Sequence, residues 1–282
     1  PGELIYMFEA QYDKALLAMR ELFEDIKQAR EIRIDSIQKH FERSIANLAT
    51  SNHAISFLLF LRNKDDGTNY TNYIFQHSVN VSILATVIGY LLGFRDTALT
   101  ELAIAGLLHD VGKVYVPLEI LNKPGKLTDY EFDIIKRHPF DSYTIVLNMI
   151  NKELHENIAL GVLQHHERLD GSGYPGGLVG DSIHQFARII TIADIYDAMI
   201  SNRVYRSRWT PFHVLDVLRN ETYEKIDPHI GYLFINHIRE HLIGSHVLLS
   251  NGCDAKVVHF ERLDYSRPVV QLFTGESINL QE

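Results

Sequence analysis

Thr97-Ala-Leu-Thr-Glu-Leu-Ala-Ile-Ala-Gly-Leu-Leu-His-Asp-Val-Gly-Lys113 is the stretch from which the architecture can be read. Leu102, Ile104, Ala105, Leu107 and Leu108 leave no polar face over its second half, which predicts a buried helix over 97–109. That helix ends by delivering His109 and Asp110 just before Gly112. Burying two such groups without partners costs on the order of several kcal/mol, so hydrogen bonds or a cation must offset it. The same arrangement recurs downstream. His165-His166 closes a helix containing Ile158, Leu160, Val162 and Leu163, and Asp194 lies inside the apolar run Ile189-Ile-Thr-Ile-Ala-Asp-Ile195. His77 and His138 complete a set of seven side chains spaced about 30 residues apart, roughly one helical hairpin each. Neutral imidazoles and carboxylates together suit borderline divalent ions such as iron, manganese, nickel or zinc.

Around this centre the pattern is helical almost throughout. Apolar residues recur at helical spacing from about Tyr12 to Leu61: Ala15, Leu16, Met19, Leu22 and Phe23, then Ile34, Ile37, Phe41, Ile45 and Leu48. This region is either a dimerising or signal-transmitting arm or a cap on the main core. Lys64-Asp-Asp-Gly-Thr-Asn69 is a turn-like break. Further helices are predicted over 72–92, from a capping box at Thr128-Asp-Tyr-Glu131, and over 153–165, 186–199, 210–218 and 227–241. After Gly244, Ala255–Phe260 and Pro268–Phe273 read as short strands. The expected architecture is an all-α helical bundle over 67–244, with an N-terminal helical region over 1–66 and a small β appendage over 245–282.

Composition narrows the classes. A formal charge of −9, from 27 basic and 36 acidic residues, argues against duplex DNA and anionic membrane as partners. No apolar run reads as a membrane span, and no signal peptide opens the chain. The single Cys253 forms no internal disulfide, and a cytoplasmic protein is expected. The opening Pro1-Gly2 lacks an initiator Met and points to a fragment with domains upstream. His237 and His241 sit among polar helix positions and read as solvated.

The motifs resemble the HD-GYP family, a branch of the HD-domain metal phosphohydrolases. They are His109-Asp-Val-Gly-Lys113, His165-His-Glu-Arg-Leu-Asp-Gly-Ser-Gly-Tyr-Pro-Gly-Gly177 and Arg188-Ile-Ile-Thr-Ile-Ala-Asp-Ile-Tyr-Asp-Ala198. The resemblance covers about residues 70–242. It implies an HD-domain bundle that hydrolyses a cyclic dinucleotide, cyclic di-GMP or mixed cyclic GMP-AMP, to a linear 5′-phosphorylated dinucleotide, which some members cut on to mononucleotides. It also implies two divalent transition-metal ions. His77, His109, Asp110 and Asp194 would hold one. Asp110 would bridge to a second, held by His138, His165 and His166, with water between them as the nucleophile. Members with a third ion carry a Glu four residues before the first histidine. Here that position is Tyr73, so two ions are expected.

Lys113 resembles the family lysine that meets a phosphate oxygen and assists the leaving group. The loop 170–180 holds Gly171, Gly173, Gly176, Gly177 and Gly180, which allow close backbone approach to a ligand. In that loop Tyr174 offers a stacking face and Pro175 stiffens the turn, and the family links the run both to substrate shape and to contact with a partner signalling protein. Asp197, Arg203 and Arg206 complete the expected substrate contacts, with Arg203 favoured for phosphate. Two other classes compete: a sensor that binds the dinucleotide without cleaving it, and an HD phosphohydrolase acting on other nucleotides.

Overall fold

The computed structural model describes residues 2–28, 55, 58, 70–149, 156–201, 209–261 and 266–281. The order is α1 (Gly2–Lys27), α2 (Tyr70–Leu91), α3 (Asp96–Leu108), a 3-10 turn (Val111–Tyr115), α4 (Leu118–Leu121), α5 (Asp129–Ile135), α6 (His138–Met149), α7 (Glu156–Gln164), α8 (Gln185–Ile200), α9 (Pro211–Glu221) and α10 (Pro228–Leu242). Four strands follow: β1 (His246–Leu248), β2 (Asp254–His259), β3 (Val269–Leu272) and β4 (Ser277–Asn279). The all-α reading with a small β appendage holds. The second half of the predicted N-terminal helical region, including Ile34 to Leu48, and the break at 64–69 lie outside the described residues.

The centre of the bundle is α2, which packs on α3 and α8. It is buried on every side from Val79 to Gly89, as a helix apolar all round must be. Tyr73–Leu91 is in fact long and apolar enough to cross a membrane, contrary to the sequence reading, yet 83% of that window is buried inside the fold. Small residues let α2 and α3 approach closely: a Cβ on Gly106 would lie 3.0 Å from Ser82 Cα. The Ser82 hydroxyl donates across the crossing to Ala103 O at 2.6 Å, so its burial costs no unpaired hydroxyl. The crossing sets the ring of His77 on α2 5.2 Å from that of His109 at the end of α3.

Short-range chemistry sets the helix ends. Thr128 and Glu131 form the capping box expected at the start of α5. That helix stops at Ile135, and α6 starts afresh at His138, because Pro139 has no N–H to donate to Ile135 O four residues back. α9 and α10 each open with a capping Thr210 or Asp227 followed by Pro.

Phe8, Tyr12, Ala15, Met19, Leu22, Phe23 and Ile26 bring α1 into the same hydrophobic cluster as the bundle, and the Tyr12 hydroxyl donates to Asn80 Oδ1 at 2.8 Å. The described part of the N-terminal region is therefore a cap on the core. The sheet is an antiparallel meander in the order β1-β2-β3-β4, and Ala255 and Val257 of β2 join that core. β1 and β4 escaped the sequence reading because three residues are too few to show an alternation.

Candidate metal centre

Six of the seven side chains are buried and His166 is half-buried, and they meet at one point in the bundle. His77 comes from mid-α2, His109 and Asp110 from the end of α3, and His138 from the start of α6. His165 and His166 follow α7, and Asp194 lies on α8. They form two groups, Asp110 with His138, His165 and His166, and His77 with His109 and Asp194, in which all ligand atoms lie within 4.8 Å of one another. Asp110 joins the groups. Its Oδ2 lies 3.6 Å from His77 Nε2 and 3.4 Å from His109 Nε2, while its Oδ1 lies 3.1 Å from His138 Nε2 and 3.9 Å from His165 Nε2. Asp194 spans the other side, 3.1 Å from His77 Nε2 and 3.8 Å from His166 Nδ1.

The tautomers follow from the partners on the far side of each ring. His109, His138 and His165 each place Nδ1 against the carbonyl three residues earlier, Gly106 O, Ile135 O and Val162 O, at 2.6–2.7 Å. A carbonyl only accepts, so Nδ1 carries the proton and Nε2 presents a lone pair to the centre. These carbonyls belong to the last turns of α3, α5 and α7, where the helix leaves them without an N–H partner. A histidine placed at a helix end is thereby oriented by the helix itself. The lone pairs then crowd one another: His138 Nε2 and His165 Nε2 are 3.3 Å apart. His109 Nε2 and Asp110 Oδ1 are fully buried and make no hydrogen bond. Facing lone pairs and orphaned acceptors require positive charge between them, so this donor set fits divalent cations.

The electrostatics agree. Burial pushes the His165 and His166 pKa values well below the ordinary histidine value, reinforced by the neighbouring histidines, which keeps both rings neutral. Burial alone would raise the Asp110 carboxyl, but Lys113 and His109 hold it well below the usual carboxylate range. Asp194 is likewise held down against burial, by His77. For His77 burial opposes protonation, yet Tyr73, Asp194 and Asp197 raise its pKa well above normal.

Lys113 turns into the site and donates to Asp110 Oδ2 at 2.5 Å. Tyr174 also stands at the centre, its ring 4.8 Å from that of His166 and 6.5 Å from that of His138. Its loop is shaped by glycine: a Cβ on Gly173 would lie 2.4 Å from Glu167 Cα and from Arg168 N, and Gly171 has φ +79°. Pro175 follows a cis peptide, and Gly176 and Gly177 lie beyond it. Arg203 and Arg206 lie outside the described residues.

Asp197 requires correction. It was expected to meet substrate, but it is completely buried, and its Oδ2 accepts the Nδ1–H of His77 at 2.7 Å. It orients a ring of the cluster from behind, as outer carboxylates do in metal sites. Sequence reasoning also missed Glu167. This buried carboxylate accepts from Gly176 N at 2.6 Å and Leu178 N at 2.9 Å, pinning the loop that carries Tyr174. A charged residue beside His165-His166 was the available signal. Tyr73 is buried with its ring stacked 5.4 Å from that of His77.

This constellation of helix-end histidines around a shared aspartate coincides with a match to the family model described as "HD domain", over residues 62–230. The chain belongs to the HD-domain family. The HD-GYP resemblance of its motifs holds as well. A cyclic di-GMP phosphodiesterase of Pseudomonas aeruginosa is 31% identical over 92% of this chain and 61% of its own length. A cyclic di-GMP phosphodiesterase response regulator of Xanthomonas campestris is 34% identical over 76% and 54%. A 3′3′-cGAMP-specific phosphodiesterase of Vibrio cholerae is 40% identical over 54% and 34%. The chain thus spans about three-fifths or less of these curated relatives. A solved HD-GYP-type protein from Bdellovibrio bacteriovorus superposes with a TM-score of 0.61 at 20% identity, covering 82% of this chain and 70% of that one, and shares the HD-domain fold.

Proposed function

We propose that this HD-domain chain hydrolyses a 3′,5′-cyclic dinucleotide, cyclic di-GMP or mixed cyclic GMP-AMP, to the linear 5′-phosphorylated dinucleotide. The observation that carries the proposal is the division of Asp110, one oxygen toward His77 and His109 and the other toward His138 and His165. Such a carboxylate suits a two-ion site. The relatives named as cyclic di-GMP and cGAMP phosphodiesterases support the substrate class.

His77, His109, Asp110 and Asp194 would hold one ion, and Asp110, His138, His165 and His166 the other. Bound there, iron or manganese, or alternatively nickel or zinc, supplies Lewis acidity toward water and phosphate. The chain's own groups do the rest. The i−3 carbonyls and Asp197 keep the imidazole lone pairs aimed inward, so no reorganisation is needed during reaction. Lys113, already beside Asp110, is within reach of a phosphate oxygen and offsets charge as the P–O3′ bond breaks. Tyr174 lines the entrance and offers its ring to a base. Water adds across the P–O3′ bond, its oxygen joining phosphorus and its proton ending on the ribose 3′-oxygen. Tyr73 in place of a carboxylate supports two ions rather than three.

The test is to incubate the metal-loaded chain with cyclic di-GMP, mixed cyclic GMP-AMP and cyclic di-AMP and to follow linear products, with elemental analysis of the same protein. Turnover of a guanine-containing dinucleotide at two metals per chain is expected. Asp110→Ala abolishes turnover and leaves the helical circular dichroism in place. Tight binding without cleavage would favour a sensor, and full activity of the Asp110 variant would refute the bridging role. A homodimer through α1 is supported by the exposed Tyr6, Met7 and Leu17, and light scattering checks it. The surface loop around Pro175 is the proposed contact for a signalling partner.

A further inference from the structure

At the edge of the centre stands α5, which has no buried residue and so adds little to the core. Polar devices hold it instead. They are the Thr128–Glu131 capping box and a Lys123 Nζ–Glu131 Oε2 pair at 2.5 Å. Its Phe132 is a large aromatic left 42% exposed. That ring meets Tyr174 at 6.4 Å and 81°, and Tyr174 in turn touches the rings of His166 and His138. Neither Phe132 nor Tyr174 belongs to the hydrophobic core or packs against it, so core burial does not account for their pairing. Lys136, one turn on, lies over the Phe132 ring at 4.6 Å. Two perpendicular rings thus make an open corner, bordered by a cation, that begins at the histidines of one half of the centre.

We propose that Phe132 is a substrate-positioning residue, and that the corner it makes with Tyr174 seats one nucleobase of the dinucleotide. The inference rests on the phosphodiesterase reading above and adds α5 to the substrate site. A flat base fills such a corner by stacking on one ring and turning its edge to the other, an arrangement that tolerates either purine. Lys136 Nζ, over the Phe132 ring, is paired with Asp133 Oδ1 at 3.3 Å, so it borders the corner as part of an ion pair. Seating the base fixes the orientation of the phosphodiester over Asp110 and Lys113, so the binding energy of a remote group serves to align the reacting one.

The test compares two substrates in each variant, cyclic di-GMP and methyl p-nitrophenyl phosphate, a simple diester with no base. Base stacking is worth about 1–3 kcal/mol, so Phe132→Leu should raise KM for cyclic di-GMP about 5- to 150-fold. The ratio of kcat/KM for the dinucleotide to that for the simple diester should fall by the same factor. Because the ratio is taken within one preparation, loss of folded protein cancels. Phe132→Tyr, which keeps a ring, should restore it. An unchanged ratio in Phe132→Leu overturns the proposal, as does an equal loss on both substrates. Cleavage of the simple diester by the unmodified chain with no cleavage of any cyclic dinucleotide would instead sink the phosphodiesterase reading, and the base seat with it.

Discussion

Gly112→Ala is the sharpest probe of how the centre is assembled. A Cβ there would stand 2.3 Å from His138 O, 2.5 Å from Ser142 N and 2.8 Å from Ser142 Oγ, where ordinary contact begins near 3.4 Å. Two of these are backbone atoms, so no side-chain rotation relieves the overlap. The start of α6 must retreat by about 1 Å, and the Gly112 N–H bond to Ser142 Oγ, now 2.7 Å, is strained or lost. His138 rides on that backbone, with Nε2 3.1 Å from Asp110 Oδ1. Metal ligands tolerate errors of only about 0.2 Å, so a 1 Å displacement exceeds the tolerance several-fold. Overpacking costs about 1–3 kcal/mol, partly offset by about 0.4–1 kcal/mol from the stiffer unfolded chain. The expected result is a melting temperature lower by a few degrees and roughly 100-fold less turnover. Metal should be lost from the group containing His138 and kept in the group of His77, His109 and Asp194. Elemental analysis, a thermal melt and a turnover assay on one preparation decide it. Unchanged metal content, melting temperature and rate would refute the close-approach argument.

Asp197→Asn should weaken metal retention about 10- to 100-fold in chelator competition, because the charge that holds the His77 Nδ1–H is lost; retention equal to the parent would mean that Asp197 does not orient His77. Glu167→Gln offers one acceptor oxygen where two amides now bond, so amide exchange at Gly176 or Leu178 should accelerate while α2 stays protected; equal exchange at both would show the loop is held otherwise. His237 gives a pH signature. It is half-buried rather than solvated, its ring 4.4 Å from that of His241, and burial with the His241 charge lowers its pKa to about 4. A base depressed in the fold binds its proton first in the unfolded chain, so stability is full above about 6.5 and falls as pH drops from 6.5 to 4, by an amount that solvent screening of this half-exposed ring reduces. His237→Gln should flatten denaturant midpoints across that window, and an unchanged slope would place the titration elsewhere.

Much of the bundle was legible because its signals are local. The apolar run before His109-Asp110 both buries α3 and ends it, and Thr128 and Glu131 mark the start of α5 within four residues. The restart at α6 was carried by Pro139, a signal overlooked. Asp197 was misread because its partner, His77, is 120 positions away, and a carboxylate facing substrate has the same sequence as one facing backward behind a ligand. Glu167 showed only as a charge beside His165-His166, and its partners stayed hidden, since the backbone N–H groups of Gly176 and Leu178 donate to its oxygens whatever side chains those residues carry.

The sequence alone determined that seven metal-type side chains sit at the ends or within the faces of buried helices, because burial of a polar group without compensation is too costly to be accidental. It also placed most of the longer helices around them, through periodicity and caps, but not α4 or the break that separates α5 from α6. Only the tertiary structure decided that these helices converge, that Asp110 divides its oxygens between two groups, and that helix-end carbonyls and Asp197 set the tautomers. Those facts depend on angles and on distances of a few ångströms between segments far apart in the chain, which no periodicity within a segment encodes.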